Sequence, residues 1–287
     1  MKSLRRCSQF RIPRSVQFVG TTKSLSTQAL NSLRLPRFLQ PRIPTRSFAS
    51  ARYGQKRTFS SAGSSPTDLN QSISMGYVLL KLGRFEEAIE HFDTALSIQP
   101  EDINSLVNKA ISLESLEKYE EALECYDKAC RAGSEQASLF YNRGMVHEAL
   151  ERFENAVNDY DKCLQLDASV EDAYLNKGIA LSRLDRDDDA LEVYEQGLEV
   201  HPKYYNLHVN SGLTFYRLNR FEEGLESFTK ASVLDPSSAE PLMFKGLGLR
   251  CLQRAKEAEK YFQKAIDVDT RVEEMISQFR EGYNPCQ

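Results

Sequence analysis

The sequence predicts an all-α protein made of six helical hairpins stacked in series, and two observations carry this prediction. A 34-residue pattern repeats without insertion or deletion, in frames that begin at Leu69, Ile103, Ala137, Glu171, Tyr205 and Ala239. The fourteenth residue is leucine in every frame, and small and aromatic residues recur at fixed places around it. Such a period is typical of repeat proteins whose units bury a core only when they are stacked.

The spacing that recurs in every frame predicts how the two helices of a hairpin pack together. Glycine or alanine occupies the eighth and twentieth residues, so that two antiparallel helices can approach closely. Positions 20, 24 and 27 share one helical face and predict a buried stripe. The residue at position 24 is always aromatic and is expected to fill the space between hairpins; these residues are Phe92, Tyr126, Tyr160, Tyr194, Phe228 and Phe262.

Turn-forming residues, acidic pairs and prolines in each frame predict where its helices begin and end. The apolar pattern breaks near positions 15 and 16, as at Gly83-Arg84, which predicts a tight turn. Acidic pairs such as Glu86-Glu87 then open the second helix, where negative charge suits the helix dipole. Proline near the end of several frames, as at Pro100, stops that helix.

These columns resemble the tetratricopeptide repeat family, and the segment Leu82-Gly83-Arg84-Phe85-Glu86-Glu87-Ala88 is close to its consensus. The family's tryptophan at the fourth residue is absent from all six frames. The resemblance covers residues 69–272 and implies a right-handed α-solenoid of six helix-turn-helix hairpins. Residues 273–287 are predicted to form a capping helix and a tail, with Ile276, Phe279 and Tyr283 on one helical face.

The first 67 residues differ sharply from the rest of the chain. Residues 1–67 hold 13 of the 37 Lys and Arg residues and none of the 41 acidic ones, so the remainder has a net charge of 24 − 41 = −17. An Arg-rich, Ser-rich segment without acids predicts a mitochondrial presequence and a matrix location. Two segments resemble a processing site, Arg46-Ser47-Phe48-Ala49 and Arg57-Thr58-Phe59-Ser60. The second lies just before the predicted repeats and places cleavage near 59/60. A plastid transit peptide and a basic arm that binds nucleic acid or lipid are the alternatives.

The expected function follows from the inner surface of the repeats. In the resembled family, the first helix of each hairpin lines a concave groove that binds peptides. Four consecutive frames place asparagine at the sixth residue, and an amide can bond both the C=O and the N–H of a peptide backbone. The predicted peptide-binding ladder is Asn108, Asn142, Asn176 and Asn210. Structural hydrogen bonds within the protein are the alternative role for these amides.

Neighbouring columns are expected to give the groove selectivity. Positions 5 and 9 are mostly apolar and predict a groove floor. Glu114 and Glu148 predict an acidic stretch in the second and third repeats, whereas Arg183, Arg217 and Arg250 predict a basic stretch in the last three. Position 16 carries a basic residue in all six frames, and this column is interpreted as a row of surface charges rather than a phosphate-binding edge.

The sequence predicts no enzyme. It has no metalloprotease, P-loop or nucleophile-elbow motif, and its four histidines fall at different places in their frames. We therefore expect no catalytic residue, no metal site and no cofactor. A protein or peptide is the expected partner, with no apolar run long enough to span a membrane. An RNA-binding repeat protein is the alternative, which the acidic body disfavours because nucleic-acid affinity depends on cationic contacts.

Overall fold

A computed structural model describes residues 66–281 of the chain, and throughout this range the regular secondary structure is helical, with no strand. The predicted presequence, its cleavage position, Tyr283 and the C-terminal tail lie outside the described residues. The predicted all-α fold of repeated helical hairpins is confirmed. The described residues form two compact units, 66–168 and 169–281.

The first unit consists of three hairpins. Their helices are α1 (Pro66–Lys81), α2 (Phe85–Ile98), α3 (Ile103–Ser115), α4 (Tyr119–Arg131), α5 (Ala137–Ala149) and α6 (Phe153–Leu166). Each odd-numbered helix packs against the helix that follows it, and α2 and α4 also pack against the first helix of the next hairpin. The first helices contact one another in order, α1 with α3 and α3 with α5.

The second unit repeats this arrangement and adds a terminal cap. Its helices are α7 (Glu171–Arg183), α8 (Asp187–Val200), α9 (Tyr205–Arg217), α10 (Phe221–Leu234), α11 (Glu240–Cys251), α12 (Ala255–Val268) and α13 (Glu273–Glu281), with a short 3₁₀ helix at Thr270–Val272. Val272, Met275 and Ile276 join the core formed by the last hairpins. These three apolar side chains close the C-terminal end, as the sequence predicted for a capping helix.

In the five frames with glycine at position 8, this residue lies against the aromatic ring at position 24 of the same frame. All six rings at position 24 are fully buried. A Cβ atom built on Gly144 would lie 2.7 Å from Tyr160 Cε1, and one on Gly178 would lie 2.1 Å from Tyr194 Cε1. The small residue therefore sets the distance between the two helices. The ring also meets the neighbouring hairpin, as the sequence predicted: Phe228 stacks on Phe244 of the next frame, with the ring centroids 5.2 Å apart.

The turn inside each hairpin has the same backbone geometry in all six frames. Position 15 has a positive φ, between 56° and 60° at the five non-glycine residues and 74° at Gly83. The N–H of Arg84 donates to the carbonyl of Leu79, and that of Gly83 to Leu80, which is the Schellman motif that ends a helix. This motif explains why the apolar pattern breaks at positions 15 and 16.

Ion pairs join neighbouring hairpins in the first unit. Lys109 on α3 bonds Asp93 on α2 at 2.6 Å, and Arg143 on α5 bonds Asp127 on α4 at 2.9 Å. Both cations occupy position 7 of their frames, and both acids occupy position 25 of the preceding frame. Arg143 also donates from Nε to buried Asp159 at 2.8 Å. The repeated pairing links the second hairpin to the first and the third hairpin to the second.

The interior of the fifth hairpin is packed differently, because its frame carries a tyrosine, Tyr216, at position 12. Tyr216 is fully buried, and its hydroxyl donates to the carbonyl of Phe244 at 3.1 Å. A Cβ on Gly224 would lie 2.3 Å from its ring, and one on Gly248 would lie 2.0 Å from its hydroxyl. Gly224 stands where the other five frames have alanine. The two glycines therefore make room for one large side chain.

We expect Gly224→Ala to destabilise the second unit, although alanine is the usual residue at this position. The added methyl group collides with the ring of buried Tyr216, and overpacking of this kind costs about 1–3 kcal/mol. The loss should be visible as a lower urea midpoint measured by circular dichroism. In a Tyr216→Leu background the same substitution should be neutral or stabilising. Equal destabilisation in both backgrounds would contradict the packing argument.

Candidate functional site

The first helices of the first unit present a mixed apolar and amide surface. We call it the first-helix patch and define it by Ile73, Tyr77, Asn108, Ile111, Asn142 and Met145. Tyr77 is exposed and the other five side chains are half-buried. Because α1 contacts α3 and α3 contacts α5, these residues belong to three adjacent helices. The patch combines an accessible apolar floor with two carboxamides.

The two amides of the patch also make hydrogen bonds within the protein. Asn108 donates from Nδ2 to the carbonyl of Asn104 at 2.8 Å, one turn earlier on α3. Asn142 bonds the hydroxyl of Tyr126, the ring residue of the preceding hairpin. Each amide is therefore held in place while its side chain stays partly open to solvent. Contact of Asn108 and Asn142 with a ligand stays a prediction.

The other two asparagines of the predicted ladder lie in the second unit and are fully buried. Asn176 and Asn210 have 0% exposed surface. Asn210 donates from Nδ2 to the carbonyl of Asn206 at 2.9 Å. The apolar residues at positions 5 and 9 are buried there as well, including Leu175, Ile179 and Leu213. In this arrangement these two amides are part of the packing, and a ligand would reach them only after side chains had moved.

One arginine of the predicted basic stretch, Arg217, forms ion pairs with acids of the protein itself. Arg217 bonds Asp187 at 2.9 Å and Asp185 at 3.3 Å, and its side chain is mostly buried. Both acids belong to the preceding hairpin, Asp185 in its turn and Asp187 at the start of α8. Burial raises the pKa of Asp187, although the Arg217 guanidinium opposes that shift. Arg217 therefore joins two hairpins, whereas Arg183 and Arg250 are half-buried.

The predicted acidic stretch is not an exposed surface. Glu148 is buried and accepts a hydrogen bond of 2.6 Å from the hydroxyl of Tyr160. Glu114 faces Tyr126 in the same way at 3.4 Å, and burial raises the pKa of Glu114 to about 7. Both carboxyl groups thus serve the ring hydroxyls inside their own hairpins, because a buried hydroxyl needs a polar partner.

A signal for this pairing was present in the sequence. Position 12 carries Glu, Glu and Ser in the three frames whose position 24 is tyrosine. The three frames with phenylalanine at position 24 carry Leu80, Tyr216 and Arg250 instead. Each tyrosine at position 24 therefore has a polar residue twelve positions earlier, a Glu in two frames and a Ser in the third.

The basic residues at position 16 are mostly paired with acids near the start of the second helix. Arg186 bonds Asp189 at 2.6 Å and Arg254 bonds Glu257 at 2.7 Å, each three residues further along. Arg84 with Glu87 and Arg220 with Glu223 make the same pairing. This arrangement favours surface ion pairs over a phosphate-binding edge.

Two further properties concern the described residues only. No helix between residues 66 and 281 is long and apolar enough to cross a membrane. In the same range, no three His, Cys, Asp or Glu side chains are grouped so that they could hold a metal ion.

We expect Glu114→Gln to stabilise the protein above neutral pH and to leave its stability unchanged near pH 4.5. The pKa of Glu114 is raised in the folded state, so its proton favours folding at low pH, and this contribution is lost as pH rises from about 4.5 to about 7. At pH 8 the free energy of unfolding should increase by about 2 kcal/mol, because the amide removes a buried charge.

Urea unfolding at both pH values measures this difference. Glu124→Gln is the control, since Glu124 is exposed on the neighbouring helix α4. A gain at pH 8 in both variants, or in neither, would contradict the assignment of Glu114 to the hairpin interior.

Comparison with known proteins identifies the repeat. Models described as tetratricopeptide repeat match residues 69–133 and 135–203, and 175–239 and 209–272. A search of curated proteins finds no significant match.

Several solved structures have the same fold. YrrB, described as a TPR protein with an unusual peptide-binding site, has 24% identity and a TM-score of 0.54, over 62% of this chain and 92% of that one. MamA from Desulfovibrio magneticus RS-1 has 23% identity and a TM-score of 0.54, over 59% and 96%. The C-terminal part of a TPR repeat-containing protein from Cytophaga hutchinsonii has 16% identity and a TM-score of 0.64, over 69% and 80%. The matched models and the six hairpins show that this chain belongs to the tetratricopeptide repeat family.

Proposed function

We propose that this chain is a non-enzymatic scaffold that binds an extended segment of another protein on the first-helix patch. The observation that carries the proposal is the accessible row of apolar and amide side chains on α1, α3 and α5. Among the solved structures with this fold, YrrB is described as having a peptide-binding site. Peptide binding by the present chain rests on the chemistry of its own patch.

The spacing of the patch suits an extended peptide. Successive hairpins advance by roughly 10 Å, the usual distance between packed helices. An extended chain covers this distance with about three residues. Asn108 and Asn142 could therefore bond backbone groups about three residues apart. The apolar side chains of Ile111 and Met145 would then receive side chains of the bound segment.

The chemistry of the patch also indicates which ligands fit. Its six residues carry no formal charge. A ligand recognised through its backbone and through apolar side chains needs no particular charge pattern. The selectivity by charge that the sequence predicted is not part of this proposal, because Glu114, Glu148 and Arg217 have partners inside the protein.

We expect the double variant Asn108→Ala/Asn142→Ala to lose partners that the wild-type chain retains. Two net hydrogen bonds contribute about 1–3 kcal/mol, so the affinity for an identified partner peptide should fall roughly 5- to 100-fold. Proximity labelling in cells identifies the partners, and calorimetry with the partner peptide measures the affinity. Thermal unfolding must accompany both, because Asn142 also bonds Tyr126.

A matched control is available on the second helix of the third hairpin. Asn155 and Asn158 are exposed on α6, outside the patch. The double variant Asn155→Ala/Asn158→Ala should bind as the wild type does. An unchanged partner list for the patch variant, at unchanged stability, would overturn the proposed site. Retention of the wild-type protein on RNA at moderate salt would favour the RNA-binding alternative.

We further propose that the chain acts in the mitochondrial matrix after removal of its basic leader. The support is the sequence of residues 1–67, which is Arg-rich and free of acids. Incubation of the full chain with isolated mitochondria should yield a shorter, protease-protected product that begins at Ser60. Arg57→Ala should prevent this cleavage, whereas Arg46→Ala should leave it unchanged. A protected product that begins at Ala49, or no import, would contradict the proposed site or the proposed location.

A further inference from the structure

The last hairpin reverses the charge that the other hairpins carry at two positions of the second helix. Position 18 is acidic in the first five frames, and position 22 is acidic in four of them and asparagine in the third. In the sixth frame these positions hold Lys256 and Lys260, and Lys264 follows at position 26. The three lysines are four residues apart on α12, so they share one side of the helix. We call these three residues the basic stripe.

All three side chains of the basic stripe are exposed to solvent. They span eight residues, or about 12 Å of helix. Within residues 66–281 none of the three forms a salt bridge, and the neighbouring acid Glu257 bonds Arg254 at 2.7 Å. The stripe therefore presents three ammonium groups whose charge no side chain of the last hairpin neutralises.

Lysine at these positions works against the stability of α12. Position 18 lies in the first turn of the helix, where the helix dipole favours an acid over a cation. In the fifth frame, Glu226 at position 22 bonds Lys230 at position 26, with 2.9 Å between the charged atoms. Lys260 and Lys264 occupy the same two positions in the sixth frame, and like charges four residues apart repel each other. Residues that break local rules without a gain in stability are typical of a functional surface.

A second feature of the same hairpin adds to its positive charge. Lys245 on α11 is only 8% exposed, and its ammonium group lies over the ring of Tyr261, 4.4 Å from the centroid. In the second and third frames the cation at this position bonds an acid of the preceding hairpin, but the residue that corresponds to that acid here is Thr229. Lys264 of the stripe approaches the same ring at 5.3 Å. Tyr261 thus joins a buried lysine without a carboxylate partner in the described part of the chain to the exposed stripe.

We propose that the basic stripe binds an acidic segment of a partner polypeptide, whose carboxylates pair with the three lysines of α12. Neighbouring lysines of the stripe are about 6 Å apart, which is also the distance between acids four residues apart on a helix or two residues apart on an extended chain. Charge complementarity at this spacing selects the ligand. The proposal adds a second binding surface, and its residues are separate from those of the first-helix patch.

The width of the stripe favours a short segment over a lipid surface or a nucleic acid. With its side chains, a single helix is about 10 Å across. Acids flank it: the pKa of Arg254, just before α12, is raised by its hydrogen bond to Glu257 and also by the charge of Glu222 on α10. An extended polyanion would meet these acids and be repelled, whereas a segment that lies along α12 alone avoids them.

Carbodiimide cross-linking of the full-length chain to a synthetic octaglutamate peptide tests the proposal. The reagent joins an amine to a carboxylate held next to it, so tryptic mapping shows which lysines the peptide contacts. In the wild type the main cross-linked residues should be Lys256, Lys260 and Lys264. The yield should fall as sodium chloride rises from about 50 mM to about 300 mM, because salt screens exposed charges.

The double variant Lys256→Glu/Lys260→Glu should lower the cross-linking yield at Lys264 by about 5-fold or more, since two attractive contacts become repulsive. It restores the acidic residue type of the other frames, so circular dichroism should show a thermal stability at least equal to that of the wild type. Lys128→Glu/Lys162→Glu is the matched control, because these lysines are exposed on α4 and α6 and the change in net charge is the same. It should leave the yield at Lys264 unchanged.

Several results would overturn the proposal. Cross-links on Lys2, Lys23 and Lys56 alone would place the peptide on the basic leader, and the absence of cross-links on the stripe at about 50 mM salt would remove the site. Equal losses in the two double variants would reveal an effect of net charge. Retention of the wild type, but not of Lys256→Glu/Lys260→Glu, on phosphatidylserine vesicles without cross-links to the peptide would assign the stripe to a lipid surface.

Discussion

The contact between a position-8 glycine and the position-24 ring constrains five of the six hairpins. Where position 8 is glycine, a Cβ atom there would come within 3 Å of the ring of the same frame, as at Gly76, Gly144 and Gly212. The ring can fill this space only because the two helices approach so closely. Full burial of one aromatic side chain stabilises each hairpin by about 2–3 kcal/mol.

The polar groups near the ring follow from the same constraint. A phenylalanine at position 24 needs only apolar neighbours, but a tyrosine brings a hydroxyl into the hairpin interior. Glu114 and Glu148 accept hydrogen bonds from these hydroxyls, and Asn142 approaches the hydroxyl of Tyr126 from the next hairpin. Some side chains that the sequence placed in the groove, such as Glu114 and Glu148, thus bond ring hydroxyls in the core. The same residue can hold a ring hydroxyl and still present a surface to solvent, as half-buried Asn142 does.

The fold could be predicted from the sequence because it depends on positions that recur. Six copies of one pattern average out local exceptions such as Ser72 or Gly224, and the hairpin geometry follows from residue size alone. The candidate site was less predictable because it depends on burial at single residues. Asn108 and Asn210 share position 6 of their frames, yet one is half-buried and the other has no exposed surface. Arg217 occupies a position expected in the groove, but two acids of the preceding hairpin bond its guanidinium. Pairwise contacts of this kind become visible only when neighbouring frames are compared position by position.

The comparison of frames also explains why the first helix differs from the others. In the second and third frames, the cation at position 7 bonds an acid of the preceding hairpin. In the first frame no described hairpin supplies that acid, so a cation there could interact only with solvent. A polar pair such as Lys109 with Asp93 needs both members, and α1 has no described hairpin before it to supply the acid. For an end that faces water, polar residues such as lysine or serine in place of Met75 and Val78 would therefore expose less apolar surface. Methionine and valine stand there instead, so the first frame departs from the next two at a position where they bond the preceding hairpin.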